Sequence, residues 1–207
     1  MRLNCKPSPS GGGSLTIGDW DGRLIIVAHP DDEVLSCYSQ MPGALVLVVT
    51  DGDNGRQVDM ELHDFIMARR KESTEAARQF DGCRVLFMCE DEDSLNCGHP
   101  RIKVRLQQFI KWAKPKTIFV HHPNDENPGH RALGTIVRTI CDQNSDIHVY
   151  YYSTLPQSDP VVIERELAES EWNRKLEILG SYTCQNPWLT NWVKSRGDFF
   201  KTERFFA

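Results

Sequence analysis

A chain of 207 residues suits one domain of moderate size with a real core. Its composition, 40% hydrophobic and 26% charged, is that of a globular chain rather than a disordered one. The net charge of −5 argues against nucleic acid and against anionic membrane surfaces, and no apolar run reaches bilayer-spanning length.

Residues 1–22 read as a flexible N-terminal arm, because residues 7–14 are a Pro/Ser/Gly low-complexity stretch. A phosphate-binding glycine loop is the alternative there, but no Lys-Ser or Lys-Thr pair follows it. No apolar stretch follows Met1 and Arg2, so no secretory signal is expected. Residues 23–207 then read as a single α/β domain. Short, continuous, often β-branched apolar runs predict strands at 24–28, 44–50, 84–89, 117–121 and 147–152. Between them, Leu62, Phe65, Ile66, Ala76, Ala77 and Phe80 trace one face of a helix that stops at Asp81-Gly82. Ile102, Leu106, Phe109, Ile110 and Ala113 trace a second, ending before Pro115. A third is predicted over 128–142 and a fourth over 159–180, the latter opened by Asp159 as cap and Pro160 at its first position. The seven cysteines are odd in number and lack C-x-x-C spacing, which predicts reduced structural thiols in a cytoplasmic protein.

This alternation predicts a Rossmann-like, mostly parallel sheet with helices on both faces. Ligands of such sheets bind beyond the carboxyl ends of the strands. Two polar clusters begin at predicted strand ends: Ala28-His29-Pro30-Asp31-Asp32-Glu33, and the run from His121 to His130. Zinc takes imidazole nitrogen and carboxylate oxygen, and catalytic sites leave a position for water. His29 and Asp32, three apart across a proline-started turn, suit one ion; Asp31 between them suits taking the proton of a metal-activated water as it attacks a carbonyl. The plain alternative makes Asp31 and Asp32 helix N-terminal carboxylates.

Together these residues resemble the family of N-acetylglucosaminyl-phosphatidylinositol de-N-acetylases and LmbE-like sugar deacetylases. The family's Ala/Pro-His-Pro-Asp-Asp-Glu motif is matched by residues 28–33, and its second motif by residues 123–134, Pro-Asn-Asp-Glu-Asn-Pro-Gly-His-Arg-Ala-Leu-Gly. Thr50 to Gly55, Arg69 to Glu72 with Ala76 and Ala77, and Lys175, Tyr182 and Gln185 fit further stretches. The resemblance implies His29, Asp32 and His130 as a metal triad, Asp31 as general base, Arg69 as a substrate contact and Asp125 as a carboxylate orienting a ligand histidine. It implies zinc (Zn2+), with another divalent ion such as Fe2+ as the alternative. The implied reaction is hydrolysis of the acetamide of an N-acetylated amino sugar or glycoconjugate, with no nucleic acid and no membrane span involved.

The sequence departs from the family where a second histidine is usual: Asn127 stands there, and Gly129 replaces an aspartate. Asn127-Pro128 reads as a helix cap, yet its amide can also donate to an oxyanion. These departures motivate a second expectation, an impaired relative that binds metal and glycoconjugate. A nucleotide-binding Rossmann protein is a lesser alternative, since no G-x-G-x-x-G follows the first strand. His121 and His122 read as strand termini or as catalytic candidates. Residues 90–93 read as a solvated acidic loop, although the resemblance implies an aspartate near here that touches substrate. Trp188, Trp192, Phe199 and Phe200 read as core, or as an aromatic wall beside a sugar.

Overall fold

The computed structural model describes residues 20–55, 58–142, 146–186 and 188–207. Most of the expected N-terminal arm, with Cys5, lies outside the described residues. Trp20 to Gly22 are tied down: Asp21 N–H donates to Gly43 O, and Gly22 O accepts from Lys116 N.

The strands are β1 (Arg23–Val27), β2 (Leu45–Thr50), β3 (Arg84–Glu90), β4 (Thr117–His121), β5 (His148–Tyr152), β6 (Val161–Glu166) and β7 (Thr202–Phe206). The helices are α1 (Asp32–Cys37), α2 (Leu62–Ala77), α3 (Glu92–Asn96), α4 (Pro100–Ala113), α5 (Pro128–Cys141), α6 (Glu169–Gly180), α7 (Trp188–Ser195) and α8 (Gly197–Lys201). One mixed sheet runs in the order β3-β2-β1-β4-β5-β7-β6. The first five strands in that order are parallel, and β7 joins β5 and β6 antiparallel.

Strand alternation builds two cores. Ile25 and Val27 of β1 face one side with residues of α1, α2, α6, α7 and α8; Leu24 and Ile26 face the other with α3, α4 and α5. Strands buried on both faces explain the continuous apolar runs of β1 and β2. The α4 periodicity is realised as buried Ile102, Leu106, Ile110 and Ala113. Lys114, in the left-handed region, closes that helix by donating its N–H to Ile110 O.

Two expectations need correction. The single helix over 159–180 is a strand, β6, followed by α6. Val161, Val162 and Ile163 are β-branched, and β7 offers them an antiparallel partner that no local pattern announces. Pro160 therefore precedes an edge strand, where a missing N–H is tolerated. The acidic run 90–93 is not a free loop either. Glu90 ends β3 buried between Arg101 and Arg105, Asp91 caps α3 by accepting from Ser94 N, and Glu92 begins the helix. α7, α8 and β7 were not predicted, because short elements carry too few turns of periodicity.

Candidate metal centre and active site

The strand order reverses between β1 and β4, which are neighbours. A crevice opens beyond the carboxyl ends of such a pair. His29 follows β1, and His121 ends β4, so the two polar clusters meet there.

Asp31 turns the chain from β1 into α1 with φ of 112°, a region strained for a side-chain-bearing residue. Its neighbours hold it there. Its carbonyl accepts from Val34 N and Leu35 N, and its N–H donates to Glu33 Oε2 at 2.9 Å. Its carboxylate makes no cap bond and instead receives Arg69 Nη2 at 2.9 Å. Buried Arg69 also donates to the carbonyls of Gly52 and Pro30, and it lines the cavity described below. Burial pushes the Asp31 carboxyl up to about 7, against the pull of Arg69 and with the help of Asp32 and Glu33. That is the range in which a carboxylate works as a general base at neutral pH. Glu33 lies one layer deeper, accepting from Ser73 Oγ and, at 2.8 Å, from Tyr182 Oη.

The second cluster is delivered by a helix start. Asn127 Oδ1 accepts from Gly129 N and His130 N, and Pro128 takes the first position of α5. This leaves the amide nitrogen as the free donor of that carboxamide. α5 lies close on the end of β4: a Cβ on Gly134 would sit 2.3 Å from His121 O. His130, in the first turn, thereby faces β1.

Asp32 Oδ2 lies 3.2 Å from His29 Nδ1 and 3.3 Å from His130 Nε2, and those two nitrogens are 3.3 Å apart. A tetrahedral ion with bonds of about 2.0–2.1 Å needs neighbouring donors about 3.3–3.4 Å apart. The His2Asp set therefore fits zinc in both donor chemistry and spacing. Each imidazole has a carboxylate on its far nitrogen: Glu92 Oε1 is 3.4 Å from His29 Nε2, and Asp125 Oδ1 is 3.3 Å from His130 Nδ1. Such partners fix tautomer and ring orientation. Asp125 is itself held by Asn127 N, Ser153 Oγ and Thr154 N. Burial would raise its carboxyl, but the bond to His130 and the charges of His130 and His121 hold it well below the usual carboxylate range. Burial would lower the His130 imidazole; Asp32 and Asp125 raise it to about 10.

Two members escaped the sequence reading. Glu92 lay in an acidic run with no local sign that it faces His29. His121 was weighed only as a strand end or a catalyst. It is fully buried, its ring stacked on His130 with centroids 3.7 Å apart, and its Nε2 is 3.1 Å from Ala28 N. Burial and the His130 charge push it down to about 4, so it is neutral at pH 7. His122 points away, with Nδ1 accepting from Asn124 N and its ring against Tyr151 and Phe206.

His29, Asp31, Asp32, Asn127 and His130 line one cavity of about 420 Å³, whose other wall includes Gln185, Trp188 and Trp192. A larger groove of about 730 Å³ beside β3 contains no histidine. Phe200 joins the core, with Trp192 and Phe199 against it, whereas Trp188 is 54% exposed. Among the described residues no helix is long and apolar enough to cross a membrane.

Residues 24–141 match the sequence profile of the PIG-L family, GlcNAc-PI de-N-acetylase. Among solved structures, the fold is similar to N,N'-diacetylchitobiose deacetylase from Pyrococcus horikoshii, with a TM-score of 0.71, 16% identity and coverage of 89% of this chain and 82% of that one. It is similar also to the conserved protein TT1542 from Thermus thermophilus, at TM-score 0.69 and 17% identity, covering 90% and 94% of the two chains. A third similar fold, at TM-score 0.56 and 17% identity over 86% of this chain and 88% of that one, is the 4-carboxy-2-hydroxymuconate hydratase GalB from Pseudomonas putida. The same fold therefore carries more than one chemistry, and the site must decide between them.

Proposed function

The chain belongs to the PIG-L (GlcNAc-PI de-N-acetylase) family, and on that premise we propose that it hydrolyses the acetamide of an N-acetylated amino sugar or glycoconjugate. The observation that carries this reading is the convergence of His29, Asp32 and His130 beside the Asp31 carboxyl in one cavity. The similar fold from Pyrococcus horikoshii, by name a deacetylase of an acetylated disaccharide, supports the substrate class. His29, Asp32 and His130 would hold zinc, with Fe2+ as the alternative for the same donors. When bound, the metal polarises the amide carbonyl and acidifies a water beside it.

The remaining tasks belong to side chains. Asp31 takes the proton of the attacking water and returns it to the departing amine, so one group serves as base and then acid. Arg69 fixes that carboxylate by a 2.9 Å ion pair. Asn127 donates its amide N–H to the developing oxyanion while its oxygen caps α5. Asp125 and Glu92 hold the two imidazoles in register. Residues 23–207 act as one catalytic domain. A cytoplasmic location is supported by the six described cysteines, all free thiols.

The test is release of free amine and acetate from a panel of N-acetylglucosamine conjugates by zinc-loaded protein. Turnover by the wild type, abolished in Asp31→Asn, is the expected result. A second reading, a relative that binds metal and glycoconjugate without turnover, is favoured by Asn127 standing where the family usually has an imidazole. Retained metal and sugar binding with no hydrolysis across the panel would select it.

A further inference from the structure

Among the described residues, Leu35 and Leu155 line both the cavity that contains His29, Asp32 and His130 and an adjoining cavity of about 330 Å³. Leu35 stands one helical turn past Asp31 and Asp32, and its N–H donates to Asp31 O at 3.0 Å. Leu155 comes from the segment between β5 and β6. Asp125 pins that segment, its Oδ2 accepting from Ser153 Oγ at 2.9 Å and from Thr154 N at 3.3 Å. Ser153 Oγ in turn accepts from Leu155 N at 3.2 Å. The carboxylate that faces His130 therefore also sets where Leu155 stands. Beyond the two leucines the adjoining cavity is mostly apolar, with Val161, Phe199, Phe200 and Phe206 in its wall. Its charged side chains are ion-paired, Lys175 with Glu203 at 3.5 Å and Arg204 with Glu164 at 3.4 Å, so it suits a neutral group.

We propose that Leu35 and Leu155 form a septum that limits the acyl group of the substrate to acetyl, and that the adjoining cavity is a latent subsite for a longer acyl chain. This inference rests on the amide-hydrolysis reading above and names the residues that set its acyl specificity. The reacting carbonyl has to lie at the imidazole–carboxylate cluster. Its nitrogen carries a hydroxyl-rich sugar, which takes the side of the cavity open to solvent. The acyl methyl then meets the apolar side chains next to the cluster, Leu35 beside Asp31 and Asp32 and Leu155 beside Thr154. A methyl group fits against them. A butanoyl or hexanoyl chain has to displace a core side chain, since Leu35 is only 4% exposed. The bond changes themselves are indifferent to chain length. The water oxygen joins the acyl carbon, the C–N bond breaks with its electron pair going to nitrogen, and the amine takes a proton. Discrimination is then a matter of space, and one methylene too many in an apolar pocket costs about 10- to 200-fold.

The experiment measures kcat/KM of the zinc-loaded protein for N-acetyl-, N-propanoyl-, N-butanoyl- and N-hexanoylglucosamine in the wild type, Leu155→Ala and Leu155→Met. Comparing chain lengths on one preparation cancels any loss of folded protein. The wild type is expected to prefer acetyl over hexanoyl on the order of 10²-fold. Leu155→Ala should cut that ratio roughly ten-fold or more. Leu155→Met, of similar volume, should keep it. Calorimetric titration of zinc-loaded Asp31→Asn, with and without Leu155→Ala, reads the same preference in binding, where turnover does not intervene. Acetyl and hexanoyl compounds handled equally by the wild type overturn the septum alone, and so does an unchanged ratio in Leu155→Ala. A gain in Leu155→Ala that ends at propanoyl overturns the subsite, because it reports only the space that the side chain vacated. Failure of every compound both to bind and to turn over overturns the amino-sugar reading itself, and this inference with it.

Discussion

Asn127 caps α5 with its carboxamide oxygen and, in the proposed reaction, donates to the oxyanion with its nitrogen, and the two roles can be separated. Its oxygen caps α5 and its nitrogen is free to donate. Serine caps a helix about as well as asparagine but lacks the amide donor. Asn127→Ser is therefore expected to unfold at nearly the wild-type urea concentration while kcat falls on the order of 10²-fold. Asn127→Ala loses the cap too, at a cost of about 1 kcal/mol in the same unfolding experiment. Asp125 is read differently. It faces His130 Nδ1, the ring nitrogen on the side away from Asp32. Asp125→Asn is expected to weaken zinc binding about 10- to 100-fold in a competitive chelator titration. A change confined to kcat, with zinc affinity intact, would contradict the orienting role.

At the scale of elements, the site depends on how tightly α5 sits on β4. Gly134 makes that approach possible, since any Cβ there meets His121 O at 2.3 Å and His122 C at 3.0 Å. Those atoms are backbone and have little room to yield. Gly134→Ala is expected to cost about 1–3 kcal/mol of stability, as overpacking does. It should also weaken zinc binding, because a displaced α5 carries His130 away from His29 and Asp32. Denaturant unfolding and metal titration of the same variant check both halves. The elements predicted from long periodic segments, α2, α4 and α5, are present, and so are the five parallel strands. β6 was misread because its β-branched start follows a cap-like Asp-Pro pair. Its partner β7 lies far along the chain.

For the whole molecule, buried thiols tie stability to pH. Burial pushes the Cys83 thiol up to about 12 from its ordinary 9.0. In the unfolded chain that thiol ionises near 9, while in the folded chain it keeps its proton to about 12. Between those values unfolding releases a proton, so stability falls as pH rises. Full ionisation in the unfolded state gives a slope of about 1.4 kcal/mol per pH unit for one thiol. Urea unfolding at a series of pH values above 9 should show a shallower decline for Cys83→Ala than for the wild type. Parallel declines would remove Cys83 as a source. Below pH 8 the two proteins should keep a constant difference.

What the sequence determined by itself is local. Apolar runs and helix periodicity specify the alternation of strands and helices, because each element's own side chains define its buried face. His29, Asp31 and Asp32 at a strand end, and Asn127-Pro128 ahead of His130, are legible because turns and caps are written within a few residues. Tertiary structure alone decided that β1 and β4 are neighbours, which brings His130 within 3.3 Å of His29 across a hundred residues of chain. It also decided that Glu92 backs His29, that His121 stacks under His130, and that Trp188 stands exposed over the cavity. Strand order and the docking of distant helices follow from the summed burial of whole faces, and no short segment records that sum.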